Sequence, residues 1–166
     1  MTGATAASPA DEVRKLAELA SGIRVGMLTT IDEVGRLISR PMAQQEVEFD
    51  GDLWFFAERD SRKVAHIVAI PEVSVTLTSK DTWISIFGTA ELVDDRAKAR
   101  ELWNGWVEAW LPQGPDDPNV VLVKVTAMSA EYWDTPGGRI ASALSFVKSK
   151  VSGERYDGGD HATVDL

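Results

Sequence analysis

The sequence contains no cysteine and only two histidines, His66 and His161. The first absence excludes disulfides, thiolate metal sites and thiol nucleophiles. The second leaves little material for an imidazole-based metal centre, and no metal site is expected. No uncharged apolar run approaches the roughly 20 residues that span a bilayer. The opening stretch MTGATAASPADE has neither a basic nor an apolar block, so no secretory signal is expected there and a cytoplasmic location is. Positive charge is scarce as well: 17 Lys and Arg face 26 Asp and Glu, a formal net charge of −9. Such a chain is a poor partner for nucleic acid or an anionic membrane, so neither is expected. A small anion remains open, because a few neighbouring charges set a local field. What the sequence does have is 166 residues, 44% of them hydrophobic, which suits one domain with a real core.

Three stretches are expected: a disordered N-terminus (residues 1–9), one folded domain (10–152) and a polar tail (153–166). Ser8-Pro9-Ala10-Asp11 reads as a helix start, with Val13, Leu16, Ala17 and Ala20 at helical spacing and Gly22 as the stop. Ile23 to Ile31 and Leu37 to Ala43 flank a hairpin turn at Asp32-Glu33-Val34-Gly35. Val47 to Phe49 leads to a second turn at Asp50 to Asp52, and Leu53 to Ala57 reads as a buried strand. Ser61 to Ile70 predicts a short helix closed by Pro71. Val73 to Leu77 alternates with polar residues as a half-wet strand, paired with Thr82 to Leu92 across Lys80-Asp81. Asp94 or Asp95 is expected to cap one long helix carrying Ala99, Leu102, Trp103, Trp106, Val107 and Trp110. Val120 to Met128, continued through Ala130 to Trp133, makes another strand, and Ile140, Leu144, Val147 and Val151 mark a last helix. Strands joined by short turns imply an antiparallel sheet, and about six of them in a small domain imply a barrel with flanking helices, an α+β fold.

Two segments carry candidate chemistry. In Ser61-Arg62-Lys63 the cations fall in the first turn of a helix, where they meet the positive end of its dipole. An anion held at the helix start by backbone N–H groups and these side chains reconciles the two. A plain serine cap with two solvated cations accounts for the segment as well. In Ser39-Arg40-Pro41-Met42 a proline interrupts a strand, which puts it at an edge or a bulge. That suits a ligand site beside Arg40, and equally a protected edge. His66 reads as a structural or surface histidine, His161 as solvated, and the tryptophans at 103, 106 and 110 as core or subunit interface.

The ordered set S-R-P-M (39–42), L-W-F-F-A (53–57), S-R-K (61–63) and F-G-T-A-E (87–91) brings a family to view. E-L-W…W (101–110), P-x-G-P-D-D-P (112–118) and E-Y-W-D (131–134) extend the set. The chain resembles the pyridoxamine 5′-phosphate oxidase-like split-barrel flavoproteins, in particular their general stress protein branch. The resemblance runs from about Ala10 to beyond Val151. It implies a six-stranded antiparallel split β-barrel that binds FMN as a homodimer. It implies that Arg40, Arg62 and Lys63, with Ser61 nearby, grip the cofactor phosphate. Pro41 and Met42 would lie against the flavin ring, and Phe56 and Ala57 would line the same site. The implied function is an FMN-dependent oxidoreductase of undefined substrate, with a non-catalytic flavin carrier or a deazaflavin-dependent reductase as alternatives. No catalytic side chain is assigned. The sequence also departs from the true oxidases. It lacks their C-terminal Arg-x-His pair for the substrate phosphate, is shorter than expected of a complete oxidase, and has Trp83 about where they carry a ring-binding Gln. Pyridoxamine phosphate oxidation is therefore not expected.

Overall fold

A computed structural model of the chain describes residues 8–46, 50–135 and 160–166. Helix α1 (Pro9–Ser21) starts as its residues require. The Ser8 hydroxyl accepts from the Asp11 N–H at 3.2 Å, and the Asp11 carboxylate accepts in return from the Ser8 N–H at 3.3 Å. Strands β1 (Val25–Ile31) and β2 (Leu37–Ala43) form the expected hairpin. Its turn is built by Asp32, whose carboxylate accepts from the N–H groups of Val34 and Arg36 at 3.0 and 2.8 Å and from Arg36 Nε at 2.8 Å. Gly35 supplies the positive φ of 83°.

The Asp32 side chain is fully covered. Burial opposes its charge, but the Arg36 and Val34 donors outweigh it and hold the carboxyl below its ordinary 3.8. A group with a depressed folded-state pKa contributes stability that is present above its unfolded value and lost as pH falls through the folded one. The stability gap between wild type and Asp32→Asn, read from urea melts, should therefore be full at neutral pH. It should begin to close below about pH 4. A gap independent of pH down to acid unfolding would show that the charge of Asp32 contributes nothing.

Strand β3 (Asp52–Glu58) leads to helix α2 (Arg62–Ala69), then to β4 (Glu72–Thr78) and β5 (Thr82–Val93). Two short helices, α3 (Arg96–Leu102) and α4 (Gly105–Trp110), precede the long strand β6 (Val120–Asp134), and β7 (Asp160–Asp165) follows. All pairings are antiparallel, in the order β2-β1-β4-β5-β6-β3, with β7 added to β6. The ends of that path, β2 and β3, share no ladder among the described residues; just after β2 the Gln45 N–H donates to the Trp54 carbonyl at 2.9 Å. The barrel is thus split along this seam.

Alternation along the strands makes two cores. Leu28, Phe55, Val75, Ile84, Ile86, Val123 and Val125 fill the barrel beneath Leu16 and Ala20 of α1. The other side of β3 and β6 packs Phe56, Val120 and Leu122 against Ala99, Leu102, Val107 and Leu111 from α3 and α4.

Three expectations change. The long tryptophan helix is two helices. Asn104 turns its side-chain Oδ1 to the N–H groups of Trp106 and Val107 (3.0 and 3.2 Å), starting α4 anew, and donates from Nδ2 to Gln45 Oε1 at 2.9 Å. Trp103 touches the second core, whereas Trp106 and Trp110 are exposed at 62% and 78%. The sheet has seven strands rather than six. The seventh comes from the stretch read as a polar tail, where Ala162 and Val164 face the barrel core. The turn read at 135–138 lies mostly, and the helix read over residues 140–151 wholly, outside the described residues, as do residues 1–7 of the expected N-terminus.

Candidate functional site

Beside the split, β2 and the start of α2 bring three cations together. Arg40 lies on the same side of edge strand β2 as Ile38 and Met42, half-buried, opposite Leu28 of β1. One end of its guanidinium is fixed to β1: Nη1 donates to the Leu28 carbonyl at 3.2 Å and to Thr30 Oγ1 at 2.7 Å. Burial, and then the positive charge of Arg62, lower its pKa. Lys63 is lowered in the same way, by burial first and then by Arg40, with Glu58 opposing. Among the described residues none of Arg40, Arg62 and Lys63 has a carboxylate within ion-pair distance. The positive end of α2 adds to this field.

Ser61 stands at the N-cap position of α2 but does not cap it. Its hydroxyl donates backwards, to the Glu58 carbonyl at 2.6 Å. The N–H groups of Arg62 and Lys63 consequently have no acceptor among the described residues. Like charges and unpaired donors converging on one spot form a receptor for a multiply charged anion such as a phosphate ester.

A separate loop holds this helix start in place. The Arg59 N–H donates to the Asn119 carbonyl at 2.7 Å, and Asp60 and Asn119 exchange bonds of 3.2 and 3.1 Å. Arg59 also pairs with Asp94 and donates from Nε to the Pro118 carbonyl at 3.3 Å. The P-x-G-P-D-D-P segment, which Asn119 follows, thereby buttresses S-R-K from the second core's side.

The remaining residues singled out from the sequence are not gathered at this spot by their side chains. Met42 belongs to the barrel core, and Pro41, its neighbour, is exposed on the opposite side of β2. Phe56 is buried in the second core, edge-on to Trp103 at 5.2 Å, while Ala57 points into the first. Period-two alternation allows only one of each pair to face a given ligand through its side chain. His66 is not a surface residue. It is 5% exposed, and its Nδ1 lies 2.9 Å from Thr30 Oγ1. Neither Thr30 nor this link carried a signal in the sequence. Two depressions of about 310 and 290 Å³ lie elsewhere, around the Arg24–Glu46 ion pair. With its cation compensated, that region lacks the uncancelled charge found beside the split.

The profile of the family described as pyridoxamine 5′-phosphate oxidase like matches residues 11–157. The chain belongs to that family. Protein bli-3 of Neurospora crassa is 30% identical over 159 residues, covering 88% of this chain and 76% of that protein. Among solved structures, one provisionally described as general stress protein 26 from Jannaschia sp. CCS1 superposes with a TM-score of 0.77. It is 29% identical and covers 95% of this chain and 99% of its own. The general stress FMN/FAD binding protein of Xanthomonas citri is 31% identical, with a TM-score of 0.64, over 74% of this chain and 87% of that one. The antiparallel sheet with its flanking helices matches the split-barrel fold of these structures.

Proposed function

We propose that the protein is an FMN-binding flavoprotein of the general stress type, acting as an oxidoreductase. The observation that carries this reading is the trio Arg40, Arg62 and Lys63, clustered with no carboxylate in ion-pair contact at the start of α2, whose first N–H groups have no acceptor among the described residues. These residues fit the 5′-phosphate of FMN: Arg40 offers a planar fork and Lys63 a compact point charge. The FMN/FAD binding of the Xanthomonas relative supports the same assignment. FMN, when bound, supplies the two-electron chemistry. Arg40, Arg62 and Lys63 would hold the phosphate, and the backbone of β2 would lie beside the ring. The absorption spectrum of the freshly purified protein tests this. Flavin bands that shift on denaturation are expected, and a deazaflavin spectrum or a colourless protein that ignores added FMN overturns it. Oxidation of NADH or NADPH by the loaded protein then separates an oxidoreductase from a carrier.

The working unit is a homodimer. On the outer side of the sheet Met27, Trp83, Phe87 and Trp133 are each more than 40% exposed, and Trp83 pairs directly with Trp133. Ser85, Thr76 and Glu131 lie between these side chains, but so much exposed aromatic surface on one side of a sheet is what another copy would cover. Sedimentation of the flavin-loaded protein should give a dimer at micromolar concentration; a monomer there contradicts the reading.

Pyridoxal phosphate formation should be absent. No Arg-x-His pair occurs in the chain, and each missing charged bond to a substrate phosphate costs about 1.5–3 kcal/mol, or roughly ten- to a hundredfold in affinity. Efficient turnover of pyridoxamine 5′-phosphate at low micromolar concentration would reverse this.

A further inference from the structure

Arg40 is the end of a chain of buried polar contacts that crosses three elements. Its Nη1 donates to Thr30 Oγ1 on β1 at 2.7 Å, and Thr30 Oγ1 lies 2.9 Å from Nδ1 of His66 on α2. Thr30 is wholly inaccessible to solvent and His66 almost so. An arginine only donates, so Thr30 Oγ1 is an acceptor towards Arg40. Its own proton then needs an acceptor at a position closed to bulk solvent, and His66 Nδ1 is the group within reach among the described residues. The reverse assignment, with His66 Nδ1–H donating to Thr30, leaves a buried hydroxyl proton unpaired. With Thr30 donating to Nδ1, the imidazole carries its proton on Nε2, which lies 3.8 Å from a Glu33 carboxylate oxygen.

We infer that His66, acting through Thr30, is a positioning residue for the phosphate grip of Arg40. The inference rests on the FMN reading above and deepens it. Nη1 is committed to Leu28 and Thr30, while Nε and Nη2 have no partner among the described residues. The fork is thus fixed at one end and free at the other, with Arg62 and Lys63 near enough to act on its charge. Without the threonine acceptor the long side chain regains its rotamers, and repulsion from Arg62 and Lys63 favours those that turn away. Fixing Thr30 from its far side is what His66 contributes. The bond also ties α2, which carries Lys63, to the hairpin that carries Arg40.

The test is the ratio of FMN to riboflavin affinity, measured by fluorescence quenching in the full-length protein. Thr30→Val and His66→Leu should each lower that ratio by about three- to tenfold, the effect of losing one hydrogen bond's alignment. Riboflavin affinity should hold. Thr30→Ser and His66→Asn, which keep a hydroxyl and an acceptor in place, should restore the ratio to within about twofold of wild type. In the Arg40→Ala background, Thr30→Val should produce no further loss. Nitrogen NMR of the wild-type imidazole, which needs no variant to fold, should find Nδ1 unprotonated at neutral pH. A protonated Nδ1 overturns the inference, as do variants that lose both flavins equally or neither. If wild type binds FMN no better than riboflavin, the phosphate reading falls and this inference with it. If Arg40→Ala abolishes the preference while Thr30→Val and His66→Leu keep it, only this inference falls.

Discussion

Arg40→Ala and Lys63→Ala should each weaken FMN binding by about ten- to a hundredfold while leaving riboflavin binding almost unchanged. The two flavins differ only in the phosphate, so the comparison isolates the groups that hold it. Arg40 reaches the site from an edge strand and Lys63 from the first turn of α2, so the two approach one anion from separate elements. A charged hydrogen bond lost at such a place costs about 1.5–3 kcal/mol. The apo-protein should respond in the opposite direction. Burial and the nearby Arg40 disfavour the charge on Lys63, Glu58 offsets them only in part, and no carboxylate among the described residues lies within ion-pair distance. Its removal should leave the thermal midpoint of the empty protein unchanged or slightly raised. Adding FMN should then stabilise wild type more than Lys63→Ala. Equal losses of FMN and riboflavin would mean that these residues support the fold, and that the phosphate lies elsewhere.

Gly88→Ala should be among the most damaging single-methyl additions available in this chain, lowering stability by about 2–3 kcal/mol and the thermal midpoint by roughly 5–10 °C. The reason lies in the sheet. Phe87 pairs with Ser129 but Gly88 with Ala127, so Met128 is an extra residue on β6 and the ladder bulges at this step. A Cβ on Gly88 would sit 2.2 Å from the Thr126 carbonyl oxygen and 3.1 Å from Ala127 Cα. Both are backbone atoms of a central strand, and neither can turn aside. Gly22→Ala is the matched control, because a Cβ there meets nothing within 4 Å and the backbone φ of −81° suits any residue. Comparable midpoints for the two variants would show that the bulge relaxes freely.

Much of this architecture was legible from local chemistry. Ser8 with Asp11, Gly35 in its turn and the alternation of Val73, Val75 and Leu77 each fix an element through interactions a few residues apart. The break between α3 and α4 was not, because Trp103, Trp106 and Trp110 keep helical spacing straight through Asn104, and only the cap distinguishes two helices from one. Strand β7 was missed because two apolar residues, Ala162 and Val164, are too short a pattern to outweigh acidic neighbours. At the candidate site, a positive charge at a helix start or on a proline-broken strand drew attention to Arg40, Arg62 and Lys63, but a plain cap and a protected edge explained them as well, and only the family's ordered motifs favoured a phosphate grip. Met42 and Phe56 could have been assigned to the interior by period-two counting alone. Thr30 and His66 are 36 residues apart, and their bond exists only once β1 and α2 pack together.

Strand β7 has a practical consequence for anyone preparing the protein. One edge of β6 is used twice: β3 pairs along residues 120–126 and β7 along 129–134. A version trimmed to residue 157, where the family match ends, would leave that second stretch bare, with Trp133 beside unsatisfied N–H and C=O groups. Such an edge recruits strands from other molecules, and losing Ala162 and Val164 also opens the barrel core, so the trimmed protein would be prone to precipitate. Purification handles therefore belong before Ser8, away from the strand that seals the sheet.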